Sequence, residues 1–82
     1  MAKIDKLLVK AQNNPQNLTF TDLCRLAEAF GFAWIHGEGS HRMYGQSEVR
    51  EVLVFQPDRH GQAKVYQVRQ LLNLIEQYKL EG

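Results

Sequence analysis

The segment GFAWIHGEGSHRMY, residues 31–44, decides how this chain folds. Gly31 closes a helical pattern, because glycine readily adopts the left-handed conformation at which helices stop. The aromatic and β-branched residues 32–36 predict a strand, since such side chains fit a pleated surface. Two glycines around Glu38 predict a turn, and residues 40–46 predict a second strand. The segment therefore predicts a helix followed by an antiparallel hairpin.

The flanking sequence extends this pattern on both sides. Apolar residues at helical spacing predict a first helix over 3–13 and a second helix from Thr19, where Thr19 and Asp22 have the spacing of a capping box. Residues 49–56 predict a third strand, and 64–79 a final helix with a single apolar stripe. Because short loops join the strands, they are expected to pair as a meander.

The predicted fold class is therefore α+β. A three-stranded antiparallel sheet carries two helices on one face in the order α-β-β-β-α, which is the layer arrangement of a double-stranded-RNA-binding domain, dsRBD. The chain divides into an N-terminal helical extension, residues 1–17, and a domain over residues 18–82. The extra first helix belongs to the extension.

Composition narrows the class of protein. The 82 residues, with 44% hydrophobic and 23% charged content, are typical of one soluble domain. A net charge of +1 argues against tight binding of nucleic acid through bulk phosphate attraction, but leaves a transient RNA substrate open. Cys24 has no partner for a disulfide and is predicted to be a buried thiol. Without a membrane-spanning run or a signal-peptide pattern, a cytoplasmic protein is expected.

Three motifs, in this order, resemble the HicA-like (YcfA-like) toxin family: LTFTDL at 18–23, LAEAFGF at 26–32 and GSHR at 39–42. Residues 63–72 resemble the terminal helix of that family, so the similarity covers roughly residues 18–80. The resemblance implies a dsRBD-like fold and a messenger-RNA endonuclease that acts as the toxin of a type II toxin–antitoxin pair. It also implies a HicB-type antitoxin as partner and the motif histidine, His41, as the catalytic residue.

The groups that RNA cleavage requires can be compared with the residues of these motifs. Cleavage without a metal needs a base for the 2′-hydroxyl, an acid for the leaving oxygen and positive charge on the phosphate. His41 can serve as base or acid, because histidine titrates near neutral pH. Ser40, Arg42, Lys64 and Arg69 are the expected RNA contacts. Strand alternation would place Ser40 and Arg42 on the face opposite His41, which favours the two residues of the last helix.

No cofactor is expected, and no pair of acidic residues or histidines has the spacing of metal ligands. Trp34 and Tyr44 could stack RNA bases, although packing is favoured for Trp34. His36 is predicted to lie half-exposed on a strand and His60 in a loop.

Two alternatives stay open at the level of sequence. The near-neutral charge and the extra helix are compatible with a non-catalytic dsRBD-like module that binds RNA or a protein. A homodimer formed through the first helix is also open. The sequence does not decide the cleavage preference or the second proton-transfer group.

Overall fold

The computed structural model describes the backbone of residues 2–82 and the side chains of residues 4–82. Met1 of the predicted extension lies outside the described residues. The elements follow the predicted order: α1 (Ala2–Asn13), a short 3-10 turn (Pro15–Asn17), α2 (Phe20–Ala29), β1 (Ala33–His36), β2 (Arg42–Gln46), β3 (Val49–Phe55) and α3 (Val65–Gln77).

The sheet is a three-stranded antiparallel meander in the order β1-β2-β3, as predicted. Trp34 pairs with Tyr44, and Tyr44 pairs with Leu53, so these three side chains share one face of the sheet. The register between β1 and β2 shifts between Trp34 and His36. A shift of this kind bends the end of β1 and changes the direction in which the chain leaves the strand.

Both predicted ends of α2 are confirmed. The Asp22 amide donates to the Thr19 hydroxyl at 3.0 Å and the Thr19 amide donates to the Asp22 carboxylate at 3.3 Å, which completes the capping box. At the other end Gly31 has φ +98°, and the Phe32 amide donates to the Ala27 carbonyl at 3.1 Å. This is the Schellman arrangement that satisfies the last carbonyls of a helix.

The helices cover one face of the sheet and leave the other open. A single buried cluster joins the inner face of the sheet to α1, α2 and α3; it includes Tyr44, Leu53, Phe55, Leu23, Leu26, Val68, Leu71 and Ala11. On the opposite face Ile35, Val52 and Val54 remain 56%, 42% and 46% exposed. The open face and the ends of the layers therefore carry side chains that the helices do not cover.

Across residues 2–82, none of the helices is long and apolar enough to cross a bilayer.

Candidate functional site

The Gly-Ser-His motif forms a tight turn and does not begin a strand. The His41 amide donates to the Glu38 carbonyl at 3.2 Å, and Gly39, the first central residue of this turn, has φ +64°. A positive φ at that position is what a type II′ turn requires. β2 consequently starts at Arg42, and the prediction of a strand from Ser40 was wrong by two residues. The alternation that separated Ser40 from His41 does not apply within a turn.

Gly37 brings the end of β1 against the backbone of His41. Gly37 has φ +92°, and a Cβ atom at this position would collide with the His41 carbonyl oxygen. Only glycine permits both the backbone conformation and this approach. The two ends of the loop 37–41, which we call the histidine loop, are therefore in direct backbone contact.

Trp34 lies on β1 and anchors the start of the histidine loop. Its indole Nε1–H donates to the His36 carbonyl at 2.9 Å and to the Gly37 carbonyl at 3.1 Å. The side chain is 44% exposed, so its role is packing at the hairpin end and not filling of the core.

Arg42 anchors the other end of the histidine loop. Its Nε–H donates to the Gly39 carbonyl at 3.0 Å. The guanidinium carbon lies 4.0 Å from the centre of the Trp34 ring and 5.4 Å from that of Phe20, at the start of α2. Arg42 thus sits between two aromatic rings, where cation–π attraction holds it.

The guanidinium also reaches a partly buried polar network. Arg42 Nη1 donates to the Tyr44 hydroxyl at 3.4 Å, and that hydroxyl donates to Glu28 Oε2 at 2.9 Å. Burial raises the pKa of Tyr44 well above its usual value, so the phenol stays protonated. Because Tyr44 is fully buried, it cannot stack an RNA base, which removes one of the two aromatic candidates.

The His41 imidazole is exposed, and it has no hydrogen-bond partner among residues 4–82. The other two histidines lie elsewhere, as predicted. His36 is exposed at the end of β1, and His60 is exposed in the loop before α3. Within the same residues, no three His, Cys, Asp or Glu side chains come together to hold a metal ion.

Ser40 and Arg42 flank His41 directly, and Lys64 lies at the same end of the sheet. Arg42 pairs with Phe55, the last residue of β3, and the Gln56 amide that follows donates to Gln67 on the first turn of α3 at 3.1 Å. This contact places the N-terminus of α3, capped by Lys64, beside the start of β2.

Arg69 lies apart from this group. It is exposed and lies two residues beyond the buried Gln67, on the part of α3 that faces away from the sheet. The structure thus brings four of the five predicted site residues to one end of the molecule and leaves Arg69 on the outer face of α3.

Cys24 is buried at 3% exposure, as predicted, and burial raises the pKa of its thiol. A thiol in this state is a poor nucleophile.

An open groove of roughly 750 Å³ lies between α1 and α2, lined in part by Leu7, Arg25 and Glu28. The histidine loop is not part of its lining. The His41 imidazole is thus exposed on a surface turn outside this groove, where a polymer can reach it more readily than it could reach a group inside a cleft.

Sequence reasoning overlooked the structural partners of the motif. The role of Gly37 was detectable, because two glycines separated by one residue signal a constrained turn. The contacts of Trp34 and Phe20 with Arg42 carried no local signal.

The protein is thus a small α+β domain with an exposed histidine on a glycine-containing turn, and Trp34 and Arg42 hydrogen-bond the backbone of that loop. Comparison of the chain with protein-family models, with curated proteins and with solved structures finds no match.

Proposed function

We propose that this protein is the toxin of a type II toxin–antitoxin pair, an endonuclease that cuts messenger RNA without a metal ion. The toxin role and the messenger-RNA substrate are what the resemblance of residues 18–80 to the HicA-like family implies. The structural observation that supports the proposal is the His41 imidazole, exposed on a turn whose backbone is held from both flanking strands. The α-β-β-β-α order supports a dsRBD-like fold of the HicA type.

The proposed reaction is attack of a ribose 2′-hydroxyl on the adjacent phosphate. A bond forms between the 2′-oxygen and phosphorus, and the bond from phosphorus to the 5′-oxygen breaks. The products are a 2′,3′-cyclic phosphate and a new 5′-hydroxyl. His41 takes the proton of the 2′-hydroxyl or supplies the proton to the 5′-oxygen, and histidine suits either transfer near neutral pH.

Contacts for the phosphate come from two elements, the hydroxyl of Ser40 and the positive charge of Lys64. Ser40 lies in the turn beside His41, and Lys64 stands at the N-terminus of α3, where the aligned peptide dipoles favour an anion. Arg69, further along α3, would contact the RNA backbone beyond the cleaved bond. With a net charge of only +1, binding is expected to be transient.

The partner that fits this proposal is a HicB-type antitoxin that covers the projecting histidine loop. The site of action is the cytoplasm, where messenger RNA is translated. No cofactor is needed by the proposed mechanism.

The test compares wild type with His41→Ala on end-labelled RNA in the presence of EDTA. His36→Ala and His60→Ala are matched controls, because both remove an exposed imidazole outside the histidine loop. Loss of general acid–base catalysis should lower the His41→Ala rate by about 10²–10⁴-fold, whereas the controls should cut normally. RNA that wild type leaves intact, or cutting by His41→Ala at the wild-type rate, contradicts the proposal.

A non-catalytic binding module is the second candidate, favoured by the open sheet face with Ile35, Val52 and Val54. Exposed apolar side chains that lie together on one surface are typical of a site for a macromolecular partner. The same assay separates the two candidates. RNA that is retained by the protein without new 5′-hydroxyl ends supports the binding module and contradicts the nuclease.

A further inference from the structure

Two side chains from neighbouring strands hold the histidine loop between them. Trp34 on β1 donates its indole N–H to the carbonyls of His36 and Gly37, where the loop begins. Arg42 on β2 donates its Nε–H to the carbonyl of Gly39, in the middle of the loop. The two side chains stack on each other, with the guanidinium carbon 4.0 Å from the indole ring centre. We call this pair the Trp34–Arg42 clamp.

The clamp engages two of the five N–H donors of Arg42 and one face of its guanidinium inside the protein. Its Nε is bonded to Gly39, its Nη1 is directed at the Tyr44 hydroxyl, and one face of the guanidinium lies against Trp34. The ring of Phe20 stands 5.4 Å from the guanidinium carbon. A phosphate would have to compete with these contacts, and a guanidinium fixed by several hydrogen bonds and a ring is pre-organised for its present place.

We infer that the Trp34–Arg42 clamp positions His41 for catalysis and that Arg42 acts through the histidine loop, not on the RNA. The inference rests on the proposed function for its catalytic part. A displacement of about 1 Å at a reacting group can lower a rate about a hundredfold, so a loop held at the carbonyls of Gly37 and Gly39 has a direct use in the reaction. Among residues 4–82 no group hydrogen-bonds the His41 imidazole, so the clamp can orient it only through the backbone of the loop.

Two conservative variants separate the parts of the clamp. Trp34→Phe keeps an aromatic ring for Arg42 but removes the N–H that reaches His36 and Gly37. Arg42→Lys keeps the charge but removes the Nε–H that reaches Gly39. Arg50→Lys is the matched control, because it makes the same exchange at an exposed position of β3.

The first readout is hydrogen exchange of the His41 amide, which donates to the Glu38 carbonyl at 3.2 Å. In both clamp variants this amide should exchange faster, while amides in the middle of α3 keep their protection.

The second readout is cleavage kinetics. A positioning role predicts that kcat falls by about tenfold or more while KM for RNA stays within about twofold. Arg50→Lys should change neither.

The outcomes are distinct. A raised KM with an unchanged kcat in Arg42→Lys overturns the inference, because it makes Arg42 a contact of the RNA. Unchanged exchange of the His41 amide in both variants also overturns it. If wild type does not cut RNA, the proposed function fails, and the exchange measurement alone then decides whether the clamp holds the loop.

Discussion

At the scale of single residues, Gly37 and Gly39 share a positive φ but differ in their surroundings. A Cβ on Gly37 would strike the His41 carbonyl, whereas a Cβ on Gly39 would meet no atom within 4 Å. Gly37→Ala should therefore displace the backbone of His41 in addition to straining the loop. Its expected effect is a fall in RNA cleavage of about a hundredfold, the usual result of misplacing a catalytic group by about 1 Å.

Gly39→Ala is the control for Gly37→Ala, because it places a side chain at a positive φ in the same loop without a collision. Gly39→Ala should lose about 1 kcal/mol of unfolding free energy, measured by urea denaturation, from the strain of a left-handed alanine. Gly37→Ala should lose more, because its Cβ also collides with the His41 carbonyl oxygen. Only Gly37→Ala should lose most of the activity. Equal activity in the two variants would show that the contact between Gly37 and His41 has no part in cleavage.

The predictability of the site differs from residue to residue. His41 could be singled out, because the Gly-Ser-His order is visible in the sequence and predicts an exposed imidazole, although it was placed at the start of a strand and not in a turn. The stacking of Arg42 on Trp34 could not be, since it depends on the pairing of Trp34 with Tyr44, which makes Arg42 the diagonal neighbour of Trp34 on the same face. The contact of Arg42 with Phe20 depends on how α2 docks, which no local pattern encodes.

At the scale of elements, the end of α3 carries a strained residue. The helix ends at Gln77, Tyr78 caps it, and Lys79 takes the left-handed conformation with φ 54°. The Leu80 amide donates back to the Ile75 carbonyl at 2.9 Å, as in a Schellman motif, where glycine is the usual left-handed residue. The sequence predicted a helix through Lys79, because lysine is a good helix former and no glycine marks the stop.

Lys79→Gly should stabilise the protein, because glycine adopts this conformation without the steric cost of a Cβ. The expected gain is about 0.5–1 kcal/mol in unfolding free energy by urea denaturation, after the added chain entropy of glycine in the unfolded state is subtracted. Lys79→Ala keeps the Cβ and removes only the charge, so it should change stability little. A gain of equal size in both variants would assign the effect to the lysine charge.

The ends of α2 show why some element boundaries are readable and others are not. The start of α2 is fixed by the hydrogen bonds between Thr19 and Asp22, and its end by the positive φ of Gly31. Because both signals are local, all three residues were recognised in the sequence. The start of β2 depends instead on which residue closes the turn after Gly39. That choice is made by pairing with β1, so the predicted strand began two residues early.

At the scale of the whole molecule, the question is how α1 relates to the rest of the chain. The sequence predicts an extension over 1–17 beside a domain over 18–82. In the structure Ala11 is fully buried in the same cluster as Leu26 and Leu71, and Leu7 and Leu8 pack against that cluster. An amphipathic pattern predicts that a helix buries one face, but it does not say against what. The surface that α1 covers appears only when α2 and α3 are placed together.

This packing predicts that α1 contributes to the stability of the domain. Ala11→Asp buries an unpaired carboxylate and should cost about 3–5 kcal/mol of unfolding free energy, a large share of the total of about 4–12 kcal/mol expected for a chain of this length. Val9→Asp adds the same charge on the same helix at a position that is 51% exposed, and should cost about 0.5 kcal/mol or less. Urea denaturation followed by circular dichroism measures both. Equal and small losses would show that α1 is an appendage to a core that folds without it, whereas a large loss confined to Ala11→Asp makes residues 2–82 one cooperative unit.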